Sequence, residues 1–67
     1  MLRIQINGES REVGAAASLL DVLRALDLDP RMVVVEHNRA IVRRPDLAAT
    51  AVHDGDQVEL VHFVGGG

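Results

Sequence analysis

The sequence predicts an α+β fold, in which one helix packs across one face of a mixed sheet of four to five strands. Two observations lead to this prediction. Segments near both ends of the chain alternate apolar and polar residues with a period of two, whereas one segment near the middle repeats its leucines at helical spacing. Neither a hairpin nor one short helix can bury its apolar face alone, so a helix layer on a sheet layer is the economical arrangement.

The first predicted element is a β-hairpin. Residues 2–6, LRIQI, alternate in polarity and place their apolar side chains on one face. Asn7 and Gly8 follow, and this pair is a strong hairpin signal because a type I′ turn requires positive φ at both central positions. Residues 9–13 then form the returning strand, with Val13 pointing inward.

The second predicted element is a helix of about ten residues, with leucines and a valine on one side. Ser18 is the predicted N-cap, and Asp21 completes a capping box in which aspartate replaces the usual glutamate. The helix is predicted to end at Asp29-Pro30, because the residue before a proline is disfavoured in the α region.

Three further strands complete the predicted sheet. Residues 32–37 are β-branched and send alternate valines to the core, and residues 40–42 form a short strand after a turn. Residues 57–63 alternate again, with Val61 and Phe63 on the face opposite the core. If this last strand is to share the core with the first, it must lie beside it, which is the β-grasp arrangement of ubiquitin-like proteins.

The predicted domain covers residues 1–63, and residues 64–67 form a predicted flexible glycine tail. Between the last two strands, residues 43–50 are predicted to be an irregular crossing with one helical turn after Pro45. The Asp54-Gly55-Asp56 segment is predicted to be a turn.

Composition excludes several functional classes. The net charge is −3, which disfavours a nucleic-acid partner, and the chain has no cysteine for a disulfide or a thiolate metal site. No apolar run approaches the roughly 20 residues that span a bilayer, and no signal peptide is apparent. We therefore expect a cytoplasmic protein without a membrane partner.

The side chains offer no active site. His37, His53 and His62 fall on separate predicted elements and lack metal-ligand spacing, so they are interpreted as surface or strand-edge residues. Asp54 and Asp56 flank a turn glycine, where aspartate is favoured for structural reasons. The sequence predicts a protein that is not an enzyme by itself, binds no metal and holds no cofactor.

The remaining candidate is the run Gly65-Gly66-Gly67, which follows a predicted strand almost directly. A glycine thread can pass through a channel too narrow for a Cβ, and it would present the Gly67 carboxylate. A carboxylate is a poor electrophile and must be activated, most simply as an acyl-adenylate made with ATP. Because the chain has no nucleotide site, a partner must bind the ATP. The adenylate could then accept sulfur or an amine.

Residues 52–67, VHDGDQVELVHFVGGG, are very similar to the C-terminal signature of ThiS-type sulfur carriers of thiamine biosynthesis. The resemblance covers the whole chain and includes Asn7-Gly8, the helical segment SLLDVLRALDLDP and Asn38. Arg39 departs from it, since a small or acidic turn residue is more usual there.

This resemblance implies a function and its partners. A ThiF-like adenylyltransferase would adenylate Gly67, a sulfur donor protein would convert it to a thiocarboxylate, and thiazole synthase would take the sulfur. Gly66 and Gly67 would carry the chemistry, and Gly65 would serve as a spacer. The alternatives are a molybdopterin-type sulfur carrier, a ubiquitin-like modifier conjugated through Gly67, and an interaction module with an inert tail.

A partner-binding surface is also predicted beside the tail. Phe63 is the only aromatic residue and shares a strand face with Val61, so the two are predicted to form an apolar docking patch. Val64 and Gly65 continue from this patch towards the end of the tail. The free protein is expected to be a monomer.

Overall fold

The computed structural model describes residues 2–63 and places five strands and one α-helix within them. Two short 3₁₀ turns, Pro30–Met32 and Arg44–Asp46, precede β3 and follow β4. The strands and the helix, in chain order, are β1 Arg3–Ile6, β2 Glu9–Glu12, α1 Leu19–Ala25, β3 Val33–His37, β4 Ala40–Val42 and β5 Gln57–His62.

The five strands form one mixed sheet in the order β2-β1-β5-β3-β4. β5 runs parallel to β1 and antiparallel to β3, and both hairpins are antiparallel. The prediction that the last strand lies beside the first is therefore confirmed. β5 occupies the centre of the sheet and has a hydrogen-bonded neighbour on each side.

The core lies between α1 and one face of the sheet, which we call the inner face. Val33 and Val35 are buried, as predicted, and Val58 is buried on the adjacent strand. The opposite, outer face of the sheet carries the alternate residues of each strand. The buried core residues are Ile4, Ile6, Val13, Leu19, Val22, Leu23, Val33, Val35, Leu47, Val52 and Val58.

Two residues at each hairpin turn have positive φ, which matches the type I′ prediction for the first of them. Asn7 and Gly8 have φ values of 51° and 83°, and Asn38 and Arg39 have values of 49° and 73°. A type I′ turn favours glycine at its second position, so Arg39 occupies a backbone conformation that an L residue adopts at some cost. The positive φ explains why a small or acidic residue is more usual at this position, and nothing in the structure explains the arginine.

The helix start follows the predicted capping box. The Ser18 hydroxyl accepts a hydrogen bond from the Asp21 amide at 3.2 Å, and the Asp21 carboxylate accepts from the Ser18 amide at 3.1 Å. Hydrogen bonds from the Ala17 and Ser18 amides lower the pKa of the Asp21 carboxyl. Aspartate thus performs the role that glutamate usually has in this motif.

The predicted helix end was wrong. The helix has 7 residues and ends at Ala25, with Leu26 as its C-cap, rather than continuing to Asp29. Asp27 has a φ of 58°, and the amides of Asp27 and Leu28 donate to the carbonyls of Arg24 and Leu23 at 3.0 and 2.9 Å. This is a Schellman motif with aspartate where glycine is usual. Pro30 instead begins the following 3₁₀ turn.

Replacing Asp27 with glycine is expected to raise the free energy of unfolding by about 0.5–1 kcal/mol, because glycine adopts positive φ without a steric penalty. The change also removes a negative charge from the negative end of the helix. Chemical denaturation measures the effect. The matched control is Arg24→Gly, where φ is helical and glycine should destabilise by about 1 kcal/mol. A loss of stability in Asp27→Gly would contradict the assignment.

The crossing between β4 and β5 is irregular, as predicted, but it contributes more to the core than its sequence indicates. Leu47 follows the 3₁₀ turn and is 2% exposed, and Val52 is also buried. The backbone of the crossing is tied to the helix start, since the Leu19 amide donates to the Thr50 carbonyl at 3.0 Å. No helix within residues 2–63 is long and apolar enough to cross a membrane.

Candidate functional site

The predicted reactive segment begins where the structural description ends. Val64, Gly65, Gly66 and Gly67 lie outside the described residues, so their predicted roles stay predictions. The structure does describe the base of this segment, which consists of β5 and Phe63. The hydrogen bonds that hold β5 and Phe63 therefore fix the point at which residues 64–67 join the domain.

β5 is held along most of its length by β3, and its first two residues also pair with β1. Its antiparallel register with β3 covers five residue pairs, from Val33 opposite His62 to His37 opposite Val58. The amide of Phe63 then donates to the Met32 carbonyl at 2.8 Å, one residue beyond the strand. Backbone hydrogen bonding therefore continues as far as the last described residue.

Asn7 adds a second anchor that sequence reasoning missed. The paired register of β1 and β5 ends with Ile6 opposite Val58, and the Asn7 side chain then continues the ladder. Its Oδ1 accepts from the Leu60 amide at 2.8 Å, and its Nδ2 donates to the Leu60 carbonyl at 3.2 Å. Asn7 therefore shapes the hairpin turn and also fixes β5 close to the glycine run. The sequence signalled only the turn.

The outer face beside this base is apolar and exposed. Val61 and Phe63 are 56% and 49% exposed, and Val61 lies on the face predicted for it. Two residues that sequence reasoning missed extend this area. Val34 lies directly opposite Val61, and Ile41 on β4 is 68% exposed. We call Val34, Ile41, Val61 and Phe63 the outer-face patch.

The other end of β5 is held by a polar network around Asp56. The His37 Nε2 lies 2.7 Å from Asp56 Oδ2, and these side chains are only 16% and 14% exposed. The His53 amide donates to the same oxygen at 2.8 Å. Burial alone would raise the pKa of Asp56, but the hydrogen bonds it accepts, above all from His37, lower it.

This network is structural, and it revises the interpretation of one histidine. His37 is largely buried against Asp56 and not the surface or strand-edge residue that was predicted, whereas His53 and His62 are exposed. Asp54 lies in a turn, as predicted, and its Oδ1 also accepts a hydrogen bond from the Arg3 amide at 2.7 Å. In residues 2–63, no group of three histidine or acidic side chains is arranged to hold a metal ion.

The fold and this site define a class of protein. It is a ubiquitin-like β-grasp domain whose central strand leads, through two residues, to a run of three glycines. The model of the ThiS family matches residues 4–67, and the chain belongs to that family. The resemblance of residues 52–67 to its signature is thus confirmed.

Individual relatives agree with this assignment. Sulfur carrier protein ThiS of Bacillus subtilis (strain 168) is 32% identical over 68 residues, an alignment that covers 96% of this chain and 98% of the relative. The crystal structure of a thiamine biosynthesis protein (ThiS) from Geobacter metallireducens superposes with a TM-score of 0.80 at 36% identity. That match covers 98% of this chain and all of the other. The β-grasp prediction is confirmed.

Longer proteins are also similar. A thiazole synthase of Paramagnetospirillum magneticum is 42% identical over 66 residues, and one of Magnetococcus marinus is 39% identical over the same length. Each alignment covers 98% of this chain but only 20% of the thiazole synthase. These enzymes therefore contain a segment similar to this chain as a small part of a larger polypeptide.

Proposed function

We propose that this chain carries sulfur for thiamine biosynthesis on the main-chain carboxylate of Gly67. Membership of the ThiS family supports the predicted sulfur carrier over the alternatives of a ubiquitin-like modifier and a molybdopterin-type carrier. One observation carries the assignment to Gly67. The central strand, held on both sides, ends at His62, and only Phe63 and Val64 separate it from the glycine run.

The chemistry follows from the carboxylate. Reaction with ATP converts the Gly67 carboxylate to an acyl-adenylate and releases pyrophosphate. Sulfide (HS⁻) supplied by the donor then attacks the carbonyl carbon, AMP leaves with the electrons of the broken C–O bond, and loss of the sulfur-bound proton gives a thiocarboxylate. The thiocarboxylate is a softer nucleophile than the carboxylate and can attack an electrophilic carbon directly. The chain contains no cysteine, so the sulfur must come from another molecule.

Glycine suits this role because it has no Cβ. A thread of Gly65, Gly66 and Gly67 can enter a channel too narrow for any other residue and can take whichever φ values the channel requires. Gly66 and Gly67 would lie at the reacting carbon, and Gly65 would provide length. The hydrogen bonds of Asn7 to Leu60 on β5 and of Met32 to Phe63, one residue beyond β5, hold the base of this thread.

Three partners follow from the proposed reaction. A ThiF-like adenylyltransferase binds ATP and activates Gly67, a sulfur donor protein supplies the sulfur, and thiazole synthase receives it. Thiazole synthases that contain a similar segment within one polypeptide support the third partner, because covalent linkage raises the effective concentration of two interacting modules. We expect a monomeric carrier in the cytoplasm, where these partners and ATP would meet it.

Intact-mass spectrometry tests the proposal. The endogenous protein should be isolated from its cells and compared with the purified chain before and after incubation with ATP, the adenylyltransferase and a sulfur donor. The expected product is heavier by the replacement of one oxygen with sulfur at Gly67. Conjugates of high mass would favour a protein modifier instead, and an unmodified chain under all conditions would overturn the proposal.

The activating partner is proposed to dock on the outer face, through Val61 and Phe63 and then Val64 and Gly65. Val61 on β5 and Phe63, which follows β5, are each about half exposed although both side chains are large and apolar. The inner face is already covered by the helix, so the outer face is the free side of the sheet among the described residues. Exposed aromatic residues are frequent anchors at protein interfaces.

Truncation of Phe63 to alanine is expected to weaken binding to the adenylyltransferase roughly tenfold, as loss of an aromatic anchor does. Thermal unfolding should change little, because the side chain is 49% exposed. Titration calorimetry measures the affinity. Phe63→Leu serves as the matched control, since it keeps most of the apolar area. Unchanged affinity in Phe63→Ala would contradict the docking proposal.

A further inference from the structure

We propose that the outer face receives a positively charged side chain of the activating partner between Glu36 and Glu59. The inference rests on the proposed function and deepens it, because it names the chemistry that the partner must present. It depends on the register of the sheet, on the ion pairs that the chain does and does not form, and on the apolar residues around the two carboxylates.

The two glutamates face each other across the central strands. Glu36 on β3 lies directly opposite Glu59 on β5, and opposite residues of an antiparallel pair share a face with Cβ atoms about 5 Å apart. Val33, Val35 and Val58 point to the core, so both glutamates belong to the outer face. Two like charges in this position destabilise a sheet.

Neither glutamate forms an ion pair with a cation of the described residues. The ion pairs within residues 2–63 involve Glu12, Asp29 and Asp56, and none of them reaches Glu36 or Glu59. The outer face also contains a favourable cross-strand pair, in which the two charges are opposite. Arg3 on β1 lies directly opposite Glu12 on β2, and their side chains form an ion pair at 2.7 Å. Among the cross-strand pairs of the described sheet, only Glu36 and Glu59 place two like charges opposite each other.

The outer-face patch borders this pair of carboxylates on two sides. Ile41 lies directly opposite Glu36 on the other side of β3, and Val34 and Val61 form the next row of the same face. Once a partner covers these apolar side chains, water is excluded and the two carboxylates gain strength as acceptors. A partner whose charge complements the two glutamates therefore presents a cation next to the apolar side chains of the outer-face patch.

An arginine fits this site better than a lysine. Its planar guanidinium carries five donors in a fork and can bond two carboxylates at once, and it is less strongly hydrated than an ammonium group. A second copy of this chain is a poorer occupant than the activating enzyme, because each copy has a net charge of −3.

The test measures binding and stability in the same variants. Glu36→Gln and Glu59→Gln remove one charge each while they keep the size of the side chain. Glu9→Gln is the matched control, since Glu9 is an exposed glutamate opposite Ile6, on the inner face of the edge strand β2. Titration calorimetry with the adenylyltransferase gives the affinity, and thermal unfolding gives the stability of the free chain.

The expected effects of the two outer-face variants have opposite signs. Each should weaken binding about tenfold, because the cation of the partner loses an acceptor. Each should also raise the melting temperature of the free chain, because the repulsion between the glutamates is relieved. Binding should depend less on salt in the double variant than in the wild type. Glu9→Gln should bind like the wild type.

The outcomes separate this inference from the proposed function. If both variants bind like the wild type while the wild type still gains a thiocarboxylate, the cation site is wrong and the carrier function stands. If the wild-type chain neither binds the adenylyltransferase nor gains sulfur, both are wrong. Self-association of the wild type that disappears in the double variant would assign the face to a second copy and overturn the proposal.

Discussion

Replacing Gly66 with alanine is expected to reduce thiocarboxylate formation at Gly67 by at least about a hundredfold, because a Cβ in the thread shifts the carboxylate from its place at the adenylating centre. A displacement of about 1 Å at a reacting group can have an effect of this size. Intact-mass spectrometry after incubation with ATP, the activating enzyme and a sulfur donor measures the yield of product.

The matched control for this change is Gly65→Ala. It adds the same methyl group one residue farther from the reacting carbon, and a smaller loss of product is expected. Thermal unfolding of both variants should match the wild type, because a glycine contributes no side chain to a core. A full yield of thiocarboxylate from Gly66→Ala would contradict the proposed role of the thread.

Truncation of Leu47 to alanine is expected to lower the free energy of unfolding by about 3 kcal/mol, because it removes a fully buried side chain and leaves a cavity. Leu47 is 2% exposed and belongs to the core cluster, although it lies in an irregular crossing. For a domain of this size, that loss is a large share of a total stability of about 5 kcal/mol. Urea denaturation monitored by circular dichroism measures it.

A volume-conserving change provides the control at the same position. Leu47→Met should cost less than about 1.5 kcal/mol, since it keeps most of the buried volume. If Leu47→Ala lost under about 1 kcal/mol, comparable to a surface substitution, the crossing would not pack against the core as described. Together, the two variants distinguish the effect of lost buried volume from the effect of replacing leucine with a side chain of similar size.

Local signals predicted much of the fold. The Asn7-Gly8 turn and the capping box of Ser18 and Asp21 depend on residues within four positions of each other, and both appear in the structure. The faces of β3 and β5 followed from the alternation of Val33, Val35 and Val58, because side chains in a strand point to opposite sides in turn.

Predictions failed where packing and contacts between elements decide the geometry. The helix ends at Ala25 because hydrogen bonds and packing of Leu28 favour a Schellman motif over three more helical residues. The side chain of Asn7 bonds to Leu60, 53 residues away, and His37 pairs with Asp56, 19 residues away. No pattern in either segment alone signals these contacts.

The chemistry of the candidate site divides in the same way. By itself, the sequence determined that the chain has no cysteine and carries a glycine run after its last strand, which directs the proposed chemistry to the main chain of Gly67. Only the tertiary structure decided that Glu36 and Glu59 lie opposite each other, with Ile41 beside them. Alternation along a strand assigns each residue to a face, whereas its neighbours on that face depend on the register between strands, which the packing of the whole core selects.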